Sequence, residues 1–275
     1  MSKVGLIQMT SSANPQENLA FVQSQLQAMQ SQQVDWVVLP ENALVFGSKS
    51  DYLKHAERLG KGPIQTTIAE LAKQFNLWIV VGSFPILIEG VQDKVHTTTL
   101  VFSNMGELVA DYDKLHMFDA DVTDGQQRYR ESETFAAGNR VVVTQTSFAQ
   151  LGLSICYDLR FPALYQQLRD KGAEVIVVPA AFTYVTGKAH WETLLRARAI
   201  ETQCWIVAVG QTGTHFNDRQ TWGHSMVVNP WGEIVACLPE TAGHIIVTID
   251  NNMNNEIRAK MPVAKHARFQ NTLIK

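Results

Sequence analysis

Leu151-Gly152-Leu153-Ser154-Ile155-Cys156-Tyr157-Asp158-Leu159-Arg160-Phe161-Pro162 changes character half-way along. Its first half is a short apolar run of the kind that forms a buried strand. Its second half turns polar and reaches a proline, a favoured first residue of a helix. Cys156 therefore stands at the carboxyl end of a strand. In α/β sheets, ligands and reacting groups gather beyond such ends, where a sharp turn pushes a side chain out of the sheet. From this stretch alone two readings of the thiol stay open, a small buried hydrophobe and a nucleophile.

Working outward, residues 141–144 form a strand before it, and residues 163–171 a helix stopped by Gly172 after it. A β-branched run over 175–178 is a strand that stops at Pro179-Ala180-Ala181-Phe182-Thr183. Residues 189–203 are helical, with Arg196, Arg198 and Glu201 on or beside one face, and 205–209 are a strand, so Cys204 packs. A polar loop over 211–220 leads to strands at 222–228, 234–236 and 244–249.

The amino-terminal half has the same order. A strand at 4–9 precedes a helix opened by Asn14-Pro15-Gln16-Glu17 and running through Leu19, Val22, Leu26 and Met29. A buried strand at 34–39 ends in Pro40-Glu41-Asn42, helical spacing covers 64–75, and a strand at 77–81 is closed by Gly82-Ser83. After Pro85, short strands at 86–88, 95–102 and 108–112 read as antiparallel hairpins leading into Asp113-Lys114-Leu115-His116-Met117-Phe118-Asp119. Residues 120–133 show no helical or strand period and read as a long ordered loop, a kind of segment that is disproportionately functional. The βα alternation followed by hairpins in each half argues for an α/β fold. The tail from Asn251 carries Arg258, Lys260, Lys265, His266 and Phe269, with Pro262 ending its helical part.

At 275 residues the chain is of a length that many α/β folds spend on one domain. With 23 Lys+Arg against 26 Asp+Glu, a net charge of −3 and no basic run, nothing suggests a nucleic-acid partner. No apolar run approaches the ~18 residues of a membrane span, and no signal-peptide core is present. Cys156, Cys204 and Cys237 are an odd number without CxxC spacing, which suggests neither a disulfide framework nor a zinc cluster and fits a reducing cytoplasm. The histidines show neither HxH nor HExxH spacing, so no metal is expected.

Each candidate residue taken alone has an ordinary explanation: a helix cap or solvated acid for Glu41, surface residues for Lys114 and His116, a salt-bridged surface acid for Glu131. Together, strand ends that supply an acid, an ammonium and a thiol have a chemical logic. A thiol must lose its proton to attack, which needs a base or a neighbouring cation, and Glu41 and Lys114 are one of each. When the thiolate adds to an amide or nitrile carbon, charge develops on oxygen, where Lys114 and the Tyr157 backbone N–H are natural donors. A Cys156–His116 dyad is the competing thiol chemistry.

The segments Leu39-Pro40-Glu41, Tyr112 to Asp119 and Gly152 to Pro162 resemble the three signatures of the nitrilase superfamily of carbon–nitrogen hydrolases, and Ala197-Arg198-Ala199-Ile200-Glu201 resembles a recurrent segment of it. Within the superfamily the closest resemblance is to the Nit branch, which includes ω-amidases acting on α-ketoglutaramate and amidases acting on deaminated glutathione. Residues 124–132 look more like the latter. The resemblance implies a four-layer αββα sandwich over residues 1–275, with 251–275 an extension that packs across a homodimer. It implies an amidase that hydrolyses a carboxylate-bearing small amide through a Cys thioester, with ammonia as first product and no cofactor. Carried over residue by residue, Glu41 is the general base, Lys114 the stabiliser of the tetrahedral intermediates, Cys156 the nucleophile and Glu131 a second glutamate orienting Lys114. N-carbamoyl and aliphatic amides are alternative substrates, and a catalytically silent interaction protein is the alternative class. Arg160 either pairs with a substrate carboxylate or is held by Asp158 or Glu201. Arg128 and Arg130 are further candidates for a charged substrate end, and Phe118, Tyr157, Phe182 and Thr183 are candidates for the pocket wall.

Overall fold

In the computed structural model, which describes residues 1–274, the Asn14 side chain accepts from the Gln16 N–H and opens the first helix. The first half runs β1 (Ser2–Gln8), α1 (Pro15–Met29), β2 (Trp36–Val38), α2 (Lys49–His55), α3 (Pro63–Phe75), β3 (Trp78–Leu87), β4 (Val95–Phe102) and β5 (Leu108–Asp113). A short hairpin of β6 (Asp119–Asp121) and β7 (Arg128–Arg130) follows. The second half runs β8 (Val143–Gln145), β9 (Gln150–Leu153), α4 (Pro162–Asp170), β10 (Val175–Ala180), α5 (Tyr184–Thr202) and β11 (Trp205–Gly210). It closes with a hairpin of β12 (Thr212–Thr214) and β13 (Gln220–Trp222), then β14 (Met226–Val228), β15 (Ile234–Cys237), β16 (Gly243–Ile249), α6 (Asn252–Lys260) and α7 (Val263–His266).

Two six-stranded sheets result, ordered β16-β1-β2-β3-β4-β5 and β15-β14-β11-β10-β9-β8. Each has three parallel strands at its centre and antiparallel strands at its flanks. Strands covered on both faces need no polar side, which is why β10 (VIVVPA) and β11 (WIVAVG) are apolar and buried throughout. Successive side chains of a strand point to opposite faces. Leu6, Trp36 and Val38 thus join Val177 and Val207 in the cluster between the sheets and beneath α4 and α5, while Ile7, Val37 and Leu39 meet Val22, Leu26 and Ile68 beneath α1 and α3. The layers are helices, sheet, sheet, helices: the αββα sandwich.

Several local expectations are corrected. β3 does not close at Gly82-Ser83 but runs on through Pro85, with a register shift between Val81 and Phe84. A Cβ on Gly82 would lie 2.2 Å from the Leu39 carbonyl oxygen and 2.3 Å from that of Pro40. Gly82 is there for close approach of two backbones, not for a turn. The 120–133 and 211–220 loops each contain part of a hairpin whose strands are only three residues long, too short for alternation to register. Helix α5 starts five residues before 189 and takes in Gly187, where a Cβ would lie 2.3 Å from the Trp222 side chain.

The tail folds back on its own chain. The buried Asn254 amide donates to the Glu174 and Gln203 carbonyls at 2.9 and 3.0 Å, and Arg258 donates to the Ala173 carbonyl at 2.8 Å. Helical structure resumes after Pro262 as α7, and the final residue of the 251–275 segment lies outside the described residues. Cys204 is buried, with Sγ 3.1 Å from the Ala173 oxygen. Among the described residues no helix is long and apolar enough to cross a membrane.

Candidate active site

Glu41 follows β2, where the Leu39 N–H still pairs with the Val80 carbonyl. The chain then turns at Asn42, whose φ is +56° and whose N–H donates to Ser83 Oγ at 2.8 Å. Lys114 follows β5, held by its own N–H on the Thr97 oxygen and by the Gly138 N–H on its carbonyl. The two side chains meet: Lys114 Nζ is 2.7 Å from Glu41 Oε1 and 2.8 and 2.9 Å from the two oxygens of Glu131. Lys114 is 1% exposed and Glu41 4%. Glu41 Oε2 accepts from the Ala181 N–H at 2.7 Å, at the end of β10, and Glu131 Oε2 accepts from the Phe118 N–H at 2.6 Å. Each oxygen of the two carboxylates thereby has a donor, which is what a buried charge requires.

Cys156 lies three residues past β9 and opens a 3-10 turn, Cys156–Arg160, with φ +47°. A side chain in this left-handed conformation costs about 1–2 kcal/mol, so the surroundings must impose it. Asp158 does so. Its fully buried carboxylate accepts from the Ile155 N–H at 2.9 Å, the Tyr112 hydroxyl at 2.7 Å and the His116 N–H at 3.1 Å, and pairs with His116 Nδ1 at 2.7 Å. One carboxylate thus ties the nucleophile turn of the second sheet to the Lys114 segment of the first. Tyr157, second in the turn, has an N–H with no intrahelical acceptor.

Burial works against the Lys114 charge, but Glu131 and Glu41 outweigh it and hold its pKa well above the usual lysine range. Burial also raises Glu41, yet the Lys114 ammonium brings its carboxyl below the ordinary value. Glu131 ends above its ordinary value, pushed up by burial and further by Glu41 against the pull of Lys114. Burial raises the Cys156 thiol well above the usual range, and the negative Glu41 beside it raises it further. The resting site is therefore thiol, carboxylate and ammonium. Such a thiol attacks only as a base removes its proton, and Glu41, which lines the same pocket, is the carboxylate whose charge raises it.

A pocket opens over Cys156, Glu41, Lys114 and Glu131, walled by Phe118, Tyr129, Tyr157, Phe182 and Thr183, with Arg130, Arg160 and Arg219 among its lining. Residues 3–259 match the family model of the carbon-nitrogen hydrolases. The chain is 46% identical to the deaminated glutathione amidase of Yersinia enterocolitica, over 99% of this chain and 95% of that one. It is 37% identical to the Dictyostelium discoideum deaminated glutathione amidase, over 98% and 95%. Among solved structures it superposes on Saccharomyces cerevisiae Nit3, a member of branch 10 of the nitrilase superfamily, with TM-score 0.86 and 29% identity over 98% and 97% of the two chains. On the Caenorhabditis elegans NitFhit protein the TM-score is 0.89 at 35% identity, covering 97% of this chain and 65% of that one. The chain belongs to the carbon–nitrogen hydrolase family.

In this carbon–nitrogen hydrolase the structure brings together Glu41, Lys114, Glu131 and Cys156, with Phe118, Tyr157, Phe182 and Thr183 around them. Arg160 is in the pocket and is held by neither carboxylate considered for it. Asp158 is committed to Tyr112 and His116, and Glu201 pairs with Arg198 at 2.8 Å. The Arg160 guanidinium instead stands 5.1 Å from the Phe182 ring centre and 5.9 Å from that of Tyr157. Arg130 lines the pocket but pairs with Asp121 at 2.9 Å. Arg128 is not among the residues that line the pocket: its side chain is 65% exposed and pairs with Glu133 at 3.3 Å. His116 is paired with Asp158 and stacked on Phe161 at 3.6 Å, so it is not the partner of the thiol. Among the described residues no group of three His, Cys, Asp or Glu side chains is set to hold a metal ion.

The carbon–nitrogen hydrolase site also contains residues that sequence reading missed, chiefly Arg219 and Tyr52. Arg219 lies in the polar 211–220 loop, and only the general tendency of loops to carry function pointed there. Tyr52 lies on α2, whose seven residues are too few for a helical period to stand out.

Proposed function

We propose that this hydrolase is a thiol amidase acting on deaminated glutathione, with Cys156 as nucleophile, Glu41 as general base and acid, and Lys114 as oxyanion donor. The observation that carries the reading is the buried ammonium, 2.7 Å from one carboxylate and 2.8 Å from a second, lining one pocket with the Cys156 thiol. Glu41 takes the Cys156 proton as sulfur bonds to the amide carbon, and the oxygen that gains charge is met by Lys114 and the Tyr157 N–H. The intermediate collapses with cleavage of the carbon–nitrogen bond, and Glu41 returns its proton to the departing nitrogen. Glu41 then takes a proton from water, whose oxygen attacks the thioester. The second intermediate releases the acid, and the sulfur is reprotonated from Glu41. Glu131 holds Lys114 through both of its oxygens and leaves Glu41 Oε1 as the ammonium's other contact.

Relatives named deaminated glutathione amidase, 46, 40 and 37% identical over nearly the whole chain, support the substrate. The chemistry of that substrate revises the expected leaving group. Both amides of deaminated glutathione are secondary, so an amine departs, cysteinylglycine if the ketoacyl bond is cut. Ammonia departs only from a primary amide such as α-ketoglutaramate. The chain is read as one hydrolase domain with 251–275 as its extension. It is read also as a cytoplasmic homodimer. Its free cysteines support the compartment, and Ile200 and Trp231, 48 and 58% exposed on or beside α5, support a buried helical face.

An assay that measures both amine and ammonia tests the reading. The expected result is turnover of deaminated glutathione with release of cysteinylglycine. Preference for α-ketoglutaramate with ammonia release would overturn the substrate and keep the mechanism, while inactivity across linear amides would overturn both.

A further inference from the structure

Arg219 reaches into the pocket from the connection between β12 and β13. Its guanidinium packs between the rings of Phe46 and Tyr129, 4.9 and 5.3 Å from their centres, and Nη2 donates to the Ala181 carbonyl at 3.0 Å. Its Nε is buried without a hydrogen-bond partner, and no described carboxylate forms an ion pair with it. Buried polar groups left unpaired are rare in native proteins, and one that lines a pocket is a candidate to meet a ligand there.

Ala181 fixes the relation of this cation to the chemistry. Its N–H holds Glu41 Oε2 at 2.7 Å, and its carbonyl holds Arg219. Glu41 delivers the proton to the departing nitrogen, so that nitrogen and whatever it carries lie on the Glu41 side of the scissile bond. Arg160, the other pocket arginine without a carboxylate, stands instead against Tyr157 and Phe182. We infer that Arg219 binds a carboxylate carried by the leaving amine, leaving Arg160 for one on the acyl side, so that the pocket selects amides with an anionic group at each end. The inference rests on the amidase reading above. Deaminated glutathione has such a pair, a keto-acid carboxylate on the acyl side and a glycine carboxylate on the amine side. α-Ketoglutaramate has only the first.

The test compares wild type, Arg219→Met and Arg219→Lys on deaminated glutathione, on its C-terminal glycinamide and on α-ketoglutaramate. A hydrogen-bonded charge pair of this kind corresponds to a loss of about 10- to 100-fold. Arg219→Met is expected to lose that factor in kcat/KM on deaminated glutathione, mainly through KM, and the wild type to lose a similar factor on the glycinamide. The variant should no longer tell acid from amide, its loss on α-ketoglutaramate should be much smaller, and Arg219→Lys should recover part of the activity. Equal losses on all three substrates, or full discrimination of acid from amide in Arg219→Met, would overturn the assignment and leave the amidase reading standing. A wild type inert on both glutathione-derived amides would overturn the substrate reading and this inference with it.

Discussion

A thiol that is protonated at rest works only through its base, and this orders the losses expected at single residues. Cys156→Ala abolishes turnover, and Glu41→Gln lowers kcat about a thousandfold, since it removes both proton transfers. The pH dependence follows from the directions of the shifts. Because burial and Glu41 hold the Cys156 pKa well above its ordinary value, raising the pH towards about 9 does not populate thiolate. Wild-type kcat/KM is therefore expected to be flat, within about twofold, from about pH 6.5 to 9. In Glu41→Gln, where hydroxide must take the proton, residual activity should climb with pH. A wild-type profile rising tenfold per unit through this range would contradict the assignment of Glu41. His116→Ala should retain activity within about tenfold of wild type, since His116 serves Asp158 and not sulfur, whereas a Cys–His dyad would lose nearly all of it. Glu41 and Cys156 were legible in the sequence because each stands where an apolar run gives way to polar residues, and Lys114 because its segment resembles a signature of the family. Arg219 was not, because a polar loop reads the same whether it lines a pocket or faces water.

At the scale of elements, the site depends on how closely two strands approach. Gly82, in the middle of β3, lets the Leu39-Pro40 backbone pass within contact distance and so sets Glu41 in place. Gly82→Ala is expected to cost about 1–3 kcal/mol by urea denaturation and to lower kcat through displacement of Glu41. Unchanged activity in a destabilised variant would show that Glu41 is positioned by other contacts. The sequence signalled a glycine here but not its use. A strand stop and a close approach share one residue type, and only the partner backbone, at Leu39 and Pro40 on another strand's end, distinguishes them. The buried strands β10 and β11 were read from their first residues, because covering on both faces leaves an unbroken apolar run, but β10 continues two residues further, through Pro179 and Ala180.

Across the whole molecule, the two halves are joined at the end of the sandwich that carries the site. His215 is one of the joints. Nδ1 lies 3.0 Å from the Ser11 carbonyl, which places a proton on it, and Nε2 lies 2.8 Å from the Thr221 hydroxyl, which can donate to the neutral ring. Burial lowers its pKa from 6.5 to about 4. As the pH falls below 6.5 the unfolded chain takes up a proton that the folded chain refuses, so stability falls, by about 2 kcal/mol between pH 7 and 5. His215→Gln should remove that part of the acid sensitivity in urea unfolding, and an unchanged slope would show that the ring is not held neutral. The order of elements in each half was legible from the sequence. Their arrangement as two facing sheets came from the resemblance of the motifs, because periodicity says which residues are buried but not what covers them. The central claim is that carboxylate and ammonium from one half and sulfur from the other form a single reacting site. It is tested most directly by quenching the enzyme in acid during turnover of deaminated glutathione and mapping the modified peptide by mass spectrometry. A ketoacyl thioester on Cys156, absent in Cys156→Ala, is the expected adduct. An adduct on another residue, or turnover that persists in Cys156→Ala, would contradict it.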